Sequence, residues 1–502
     1  YIKERLPMEQ KSSSWIHMGQ GEKFNPAVSK LLLGGSPDRL ILPFDIIGTR
    51  AHIRAIARAG IINSSEKVKL LSVLEKAGEY FEANDWAYDE LAEDCHMALE
   101  AKISELCDDK TLASKVHTGR SRNDQVVTAL TLYAKSMLIE LKIQLLNYLE
   151  SLIKLSEKAF NKKLIIPGYT HLQRGQPVLL AHHLLAHAWP IKRDLATLDF
   201  VIDSLNESPL GAGAVAGSTF LLDEKETAKE LGFEEQFNNS IDVVANRDFI
   251  LDILFVTSKI ATHLCRFANE VVIWCSSEFS YITLGYEVSS TSSMMPQKKN
   301  PDTAEIVRGR SSLAISNLLT GFMVLKDLPY SYSRDLSVTK KPMYDSFEKM
   351  FSMLPALTSL VESIEFNDVS IAKSCEDELL AITDFSDQFV FEGLPFRKAH
   401  QFLGALVRYS REKSILVSVL IKDIEQDDDL KSFMVAKLQN EELVAQAIEI
   451  LAKPAFKTKI LSMLNEPGIS CVNSKVGYGS TSIDSVNEQI KNLKNVIRDN
   501  NG

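Results

Sequence analysis

The sequence predicts an all-α protein built on a bundle of long helices. Two observations carry that expectation: apolar residues recur at steps of three and four over unusually long stretches, and period-two alternation is scarce, so strand content should be small. From Asn123 to about Ala159 the apolar positions are Val126, Leu130, Tyr133, Met137, Leu141, Leu145, Tyr148 and Leu152, with no Gly or Pro between them. A second helix is expected over Leu179 to Leu205, with Pro177 near its start. A third runs from Ser240 to about Tyr281 on Phe249, Ile253, Val256, Ile260, Leu264, Phe267, Val271 and Trp274. Asp242 in its first turn suits the positive end of the helix dipole. Such helices are about three times the ordinary length. Each must bury its stripe, which predicts side-by-side packing, and stripes left uncovered favour subunit association.

The flanks read differently. Residues 1–117 form an N-terminal region of shorter helical runs with breaks such as Gly34-Gly35-Ser36-Pro37. Residues 118–370 hold the long helices, and 371–502 return to short helices with a loop-like Gly477–Ser482 stretch. Three domains also match the length of 502 residues. With 45% apolar and 24% charged residues, the composition excludes disordered, collagenous and disulfide-scaffold classes. A net charge of −10 argues against nucleic acid as a partner, and no apolar run predicts a membrane span. The six cysteines form no CxxC pair and read as free thiols. With no basic-then-apolar leader, they point to the cytoplasm.

Three polar segments border the long helices. Lys115–Gln125 gathers His117, Thr118, Arg120, Ser121, Arg122 and Asn123 ahead of a helix. That set suits carboxylate or phosphate binding, and equally an elaborate N-cap with solvated arginines. Gly168–Pro177 places His171 between Thr170 and Gln173, either as a catalytic group or as a loop histidine bonded to backbone. On the next helix His183 and His187 have the i, i+4 spacing of a metal pair. No Glu follows His183 and no third ligand is evident, which favours a structural role. Ser289–Pro301 carries five hydroxyl residues, then Met-Met-Pro-Gln-Lys-Lys-Asn-Pro. It reads as a mobile clamp for a dicarboxylate or as a solvated linker.

In this order and spacing, the three segments resemble the signature regions of the fumarase/aspartase superfamily. The third is similar to its S-S-x-M-P-x-K-x-N signature, here Ser292 to Asn300, in an archaeal-type STSS form. HTGRSRND and GYTHLQ resemble the argininosuccinate lyase family within it. The resemblance implies three nearly all-α domains, a central bundle of five long helices and a homotetramer with a twenty-helix core. Each active site would be shared between three subunits. It implies reversible cleavage of argininosuccinate to arginine and fumarate, the last step of arginine biosynthesis, with no cofactor and no metal.

The same resemblance assigns roles. Ser292 is the base that removes the succinyl carbon proton, and His171 donates a proton to the departing nitrogen. Acid and base have been read both ways between these two residues. Lys298 and Asn300 hold the carboxylate as negative charge develops, and Glu305 orients His171 and favours its imidazolium. Substrate contacts carried over are Asp94, His96, Thr118, Arg122, Asn123, Thr170, Gln173, Arg247, Asn300, Tyr332 and Lys340. Ser337 stands where many relatives have Gln. Trp15–Phe24 lacks the usual W-G-G-R-F, and Gly34–Ser36 offers no clean match to the usual substrate serine. The competing readings are another fumarate-releasing lyase, such as adenylosuccinate lyase or aspartase, and a silent crystallin-like structural protein.

Overall fold

A computed structural model of the chain describes residues 37–88 and 92–501. The atypical segments Trp15–Phe24 and Gly34–Ser36 lie outside the described residues. Helices dominate. In chain order the elements used below are α1 (Leu42–Arg58), α2 (Ser64–Ala83), α3 (Cys95–Leu106), α4 (Arg122–Asn161), β1 (Ile165–Thr170), β2 (Gln173–Leu179), α5 (Leu180–Ser204), α6 (Asp248–Trp274), α7 (Asp302–Leu325), α8 (Lys340–Glu362), α9 (Ile382–Phe391) and α10 (Phe396–Lys413). Five of these are long: α4 has 40 residues, α5 25, α6 27, α7 24 and α8 23.

The helix expected to run unbroken from Ser240 is in fact two. A short helix spans Ser240–Ala245, and α6 begins only at Asp248. Asn246 makes the break. Its backbone N–H closes the first helix on the Asp242 carbonyl, and its side-chain oxygen accepts from Asp248 N at 2.8 Å to start the next. An amide side chain that bonds its own backbone competes with helix continuation, and apolar periodicity alone does not register that. The corner buries Arg247.

Contacts divide the chain into two compact units. Among the described residues, the first comprises those up to Ile143 with Leu195–Ala261 and Ser312–Phe351; the second comprises Gln144–Asp194, Thr262–Ser311 and those from Ser352 onward. Each of the five long helices contributes residues to both. In the first unit the Tyr133 ring of α4 meets Phe44, Tyr344 and Phe347 edge-on at 5.7, 5.2 and 5.9 Å. In the second, Tyr148 and Phe267 meet the same way at 6.2 Å. A separate cluster lies there among the C-terminal helices, where Phe385 and Phe389 stack at 5.2 Å and Phe402 and Phe456 close around Phe389. Buried aromatic pairs of this geometry add specificity beyond area burial.

Strands are few and short, as the pattern predicts. The exception is β1–β2, an antiparallel hairpin from Ile165 to Leu179. It replaces the loop that the Gly- and Pro-containing segment suggested. Short alternation with Pro at its margins is a weak strand signal, and here cross-strand pairing decided the conformation.

Candidate active site

In the first unit, the site grows from an unusual face of α1. Asp45, Thr49 and His52 are all buried, and their spacing puts them on one side of the helix. They face the Lys115–Gln125 segment. Arg120 donates to Thr49 Oγ1 at 2.9 Å, and the His52 Nε2 lies 3.0 Å from the Thr118 carbonyl. One Asp45 oxygen lies 2.9 Å from His96 Nδ1, and the other accepts from Gln125 at 2.8 Å. Burial raises the Asp45 carboxyl, but His96, Arg120 and Gln125 outweigh it and hold it at about 2.

The Arg122 guanidinium is pinned on three sides. Asp94 lies 3.3 Å from its Nε, Glu100 3.4 Å from Nη2, and Gln125 accepts from Nη1 at 2.6 Å. Asp94 also caps α3 by accepting from Met97 N at 2.7 Å. Glu100 lies 2.6 Å from His117 Nδ1; burial raises its carboxyl, and His117 and Arg122 bring it down to about 2. Next along the chain, Asn123 donates to the Ala214 carbonyl at 3.0 Å. The buried Asp124 accepts from Gly211 N at 3.2 Å and Gly213 N at 3.0 Å. Gly213 has φ +63°, and a Cβ there would stand 2.9 Å from the Gly217 carbonyl, so the loop needs glycine at this point.

Arg247 is 2% exposed and donates to the Asn246 carbonyl at 2.6 Å, while its Nε has no hydrogen-bond partner. Burial pushes the guanidinium down to about 10, partly opposed by the Tyr332 phenol. Lys340 is buried and donates to Asp38 at 2.9 Å. Ser337 sits one turn before it and is half-buried.

The second unit carries the other two segments. β1 and β2 are joined through Thr170–Gln173, with His171 and Leu172 as the two turn residues. Their φ angles are +54° and +57°. This left-handed pair is what a two-residue hairpin turn demands, and Asn-Gly is its usual occupant. A non-glycine pair here stores backbone strain, a feature that clusters at functional sites. Thr170, His171 and Gln173 are all exposed at the hairpin tip.

The Ser289–Pro301 segment is also hairpin-like. Ser290–Thr291 pairs antiparallel with Lys299–Asn300. Within it, Ser292 N donates to the Lys298 carbonyl at 3.1 Å. The Ser292 Oγ accepts from Met295 N at 3.0 Å and from Met294 N at 3.3 Å. Two backbone donors on one hydroxyl oxygen favour its anion. The adjacent lysines divide their work. Lys299 bonds the Leu284 carbonyl and lies 4.0 Å over the Tyr286 ring, anchoring the loop, while Lys298 is exposed. Glu305 lies in the first turn of α7, 3.8 Å from Arg308. Among the described residues, no hydrogen bond or ion pair joins His171, Ser292 and Glu305 to one another.

The structure thus gathers Asp94, His96 and Arg122 with Asp45, Glu100 and Gln125, holds Thr118 through His52 and Asn123 through the Ala214 carbonyl, and places Ser292, Lys298 and Asn300 in one loop. Glu100 and Gln125 escaped the sequence reading, as did the work done by Asp45. A signal was present: Asp45, Thr49 and His52 form a polar stripe at helical spacing on the otherwise apolar buried face of α1.

Comparison with known proteins accords with this geometry. Residues 33–315 match a family profile described as Lyase, and residues 379–452 match one described as Argininosuccinate lyase C-terminal. The chain is 38% identical over 474 residues to an argininosuccinate lyase of Trichormus variabilis, covering 94% of this chain and 96% of the relative. It is 35% identical over 461 residues to a probable argininosuccinate lyase of Schizosaccharomyces pombe, covering 92% and 94%. Among solved structures, an EDDS lyase variant with bound fumarate has the same fold, with TM-score 0.77 at 23% identity over 95% of this chain and 93% of that one. A class II fumarase from Schistosoma mansoni aligns with TM-score 0.66 at 16% identity, covering 87% and 97%. The signature segments, the all-α fold and the extent of these matches agree: the chain belongs to the argininosuccinate lyase family of the fumarase/aspartase superfamily.

Proposed function

We propose that this protein cleaves argininosuccinate reversibly to arginine and fumarate, as its family relationship supports. Ser292 removes a proton from the succinyl carbon beside a carboxylate. The electron pair left behind is first held on that carboxylate, then forms the fumarate double bond as the carbon–nitrogen bond breaks. His171, as imidazolium, gives its proton to the departing guanidinium nitrogen. Lys298 and Asn300 hold the carboxylate that carries the developing charge. Glu305 orients His171, and Arg122, Arg247 and Lys340 lie among the groups that receive the substrate.

The observation that carries the mechanism is the Ser292 oxygen held by two N–H donors. A serine base needs its anion stabilised before substrate arrives, and fixed donors do that without reorganisation. The half-buried pairs around Arg122 support a preformed binding half, since each partner is held before substrate enters.

The assembly is a homotetramer, with sites composed from three subunits. Two findings support this. His171, Ser292 and Glu305 lie unlinked within one chain, and the long helices expose large apolar side chains: Phe200 on α5 at 68%, Phe255 on α6 at 53%, and Leu319 and Met323 on α7 at 65% and 59%. Apolar surface of this kind marks a protein–protein interface. The chain's three consecutive regions, 1–117, 118–370 and 371–502, act as the domains of each subunit. The cytoplasm is the compartment proposed, where six free thiols stay reduced. No helix among the described residues is long and apolar enough to cross a membrane.

The test is a substrate panel followed by fumarate absorbance. Argininosuccinate should release fumarate, while adenylosuccinate and aspartate should not. Release from adenylosuccinate alone would replace this reading with another superfamily lyase, and release from none would favour the silent, crystallin-like reading.

A further inference from the structure

Outside the catalytic segments, the second unit brings two histidines and a glutamate to one point. His183 and His187 lie one turn apart on α5, and Glu270 projects from α6. Their donor atoms all lie within 4.8 Å of one another. One carboxylate oxygen receives both imidazoles, at 2.6 Å from His183 Nε2 and 2.9 Å from His187 Nε2. The rings are steered by aromatic neighbours on the glutamate's own helix. Trp274 lies 5.2 Å from the His183 ring, and Phe267 lies edge-on 5.3 Å from the His187 ring. Phe267, Glu270 and Trp274 therefore form one face of α6, opposite the histidine pair.

We propose that His183, His187 and Glu270 form a binding site for a divalent transition-metal ion of the zinc or cobalt class. The donor chemistry fits. Two imidazoles and a carboxylate are borderline ligands suited to these ions, and a fourth position remains for water. Ligand atoms about 2.0–2.1 Å from a tetrahedral ion stand farther apart than the present hydrogen bonds, so the carboxylate moves back slightly as the ion enters. The bound ion would tie α5 to α6. It stands apart from the proposed elimination chemistry, which needs no metal.

The test uses the full-length protein, stripped with chelator and titrated with Co²⁺ and then Zn²⁺. The expected result is saturable binding of one Co²⁺ per chain, with visible d–d bands and no thiolate charge-transfer band. Zn²⁺ should displace it and raise the Tm. In H187Q and in E270Q, affinity should fall by more than the ~10–100-fold that loss of an outer partner costs, and the Tm rise should vanish. H182Q, which alters the neighbouring histidine, should bind as the unaltered protein does. Circular dichroism of each metal-free variant separates lost binding from lost folding. The proposal is overturned if no ion binds at this stoichiometry, if H187Q and E270Q bind equally well, or if thiolate bands assign the ion to cysteine. In the first case the cluster is an ion triad only.

Discussion

The proposed binding half and the proposed chemical half of this protein are built on opposite principles. Around Arg122, side chains from distant segments hold one another, and Asp45, His96, Asp124 and Arg120 are buried. Around Ser292, the partners are the loop's own backbone, and Met294 is 88% exposed. The contrast teaches where order must be prepaid. Charges that receive a multiply charged substrate are costly to reorganise, so they are locked in advance. A loop that must admit substrate needs only local order at the reacting oxygen.

Four experiments press on that contrast. The largest effect is expected from S292A, which should lower kcat by on the order of 10²–10⁴-fold, the usual range for a general base, with the melting curve unchanged. A kcat near the original would remove the serine from the mechanism. D45A attacks the other half and should behave differently. It strands His96 and Gln125 in the interior, so a destabilisation of ~3–5 kcal/mol by urea unfolding is expected, the cost of breaking a buried pair. Were D45A to leave stability alone and change only KM, the network would be substrate-specific rather than structural.

Stability against pH separates two buried carboxylates within the first half. Burial pushes Asp124 up to about 6 from an ordinary 3.8, with its backbone hydrogen bonds only partly opposing. Below pH 3.8 it is protonated in both folded and unfolded chains. As pH rises from about 4 to 6 the unfolded chain loses its proton first, so folding stability falls by on the order of 2–3 kcal/mol and then levels. Asp45 has the reverse sign. Its carboxyl is held at about 2, so its contribution is present above pH 3.8 and is lost as pH falls toward 2. D124N should flatten the 4–6 window only, and an unchanged slope there would show that Asp124 is not the titrating group. The smallest effect is expected at the hairpin tip. L172N places a residue tolerant of the left-handed region where φ is +57°, and should raise stability by about 1 kcal/mol in thermal unfolding. No gain would mean the turn relaxes its strain elsewhere.

Much of this was legible in the chain. The long helices are written in apolar spacing, and α4 begins one residue before the Asn123 start read from it and ends two residues past Ala159. The three signature segments announced themselves through clustered hydroxyl, amide and cationic residues. What escaped was set by partners distant in sequence. Gln125 matters because α1 delivers Asp45 to it, 80 positions away. The α6 break at Asn246 came from a side chain bonding its own backbone, and the β1–β2 hairpin came from pairing that its composition only weakly favours.

Amino-acid order alone determined the helical class, the spans of α4 and α5 and the residue types available for elimination chemistry, because periodicity and local side-chain chemistry are properties of neighbours along the chain. Tertiary structure decided which oxygen faces which nitrogen. It set Asp45 on His96, two N–H groups on Ser292, and Glu270 between His183 and His187, since hydrogen bonding acts over about 3 Å through space and is indifferent to separation in sequence.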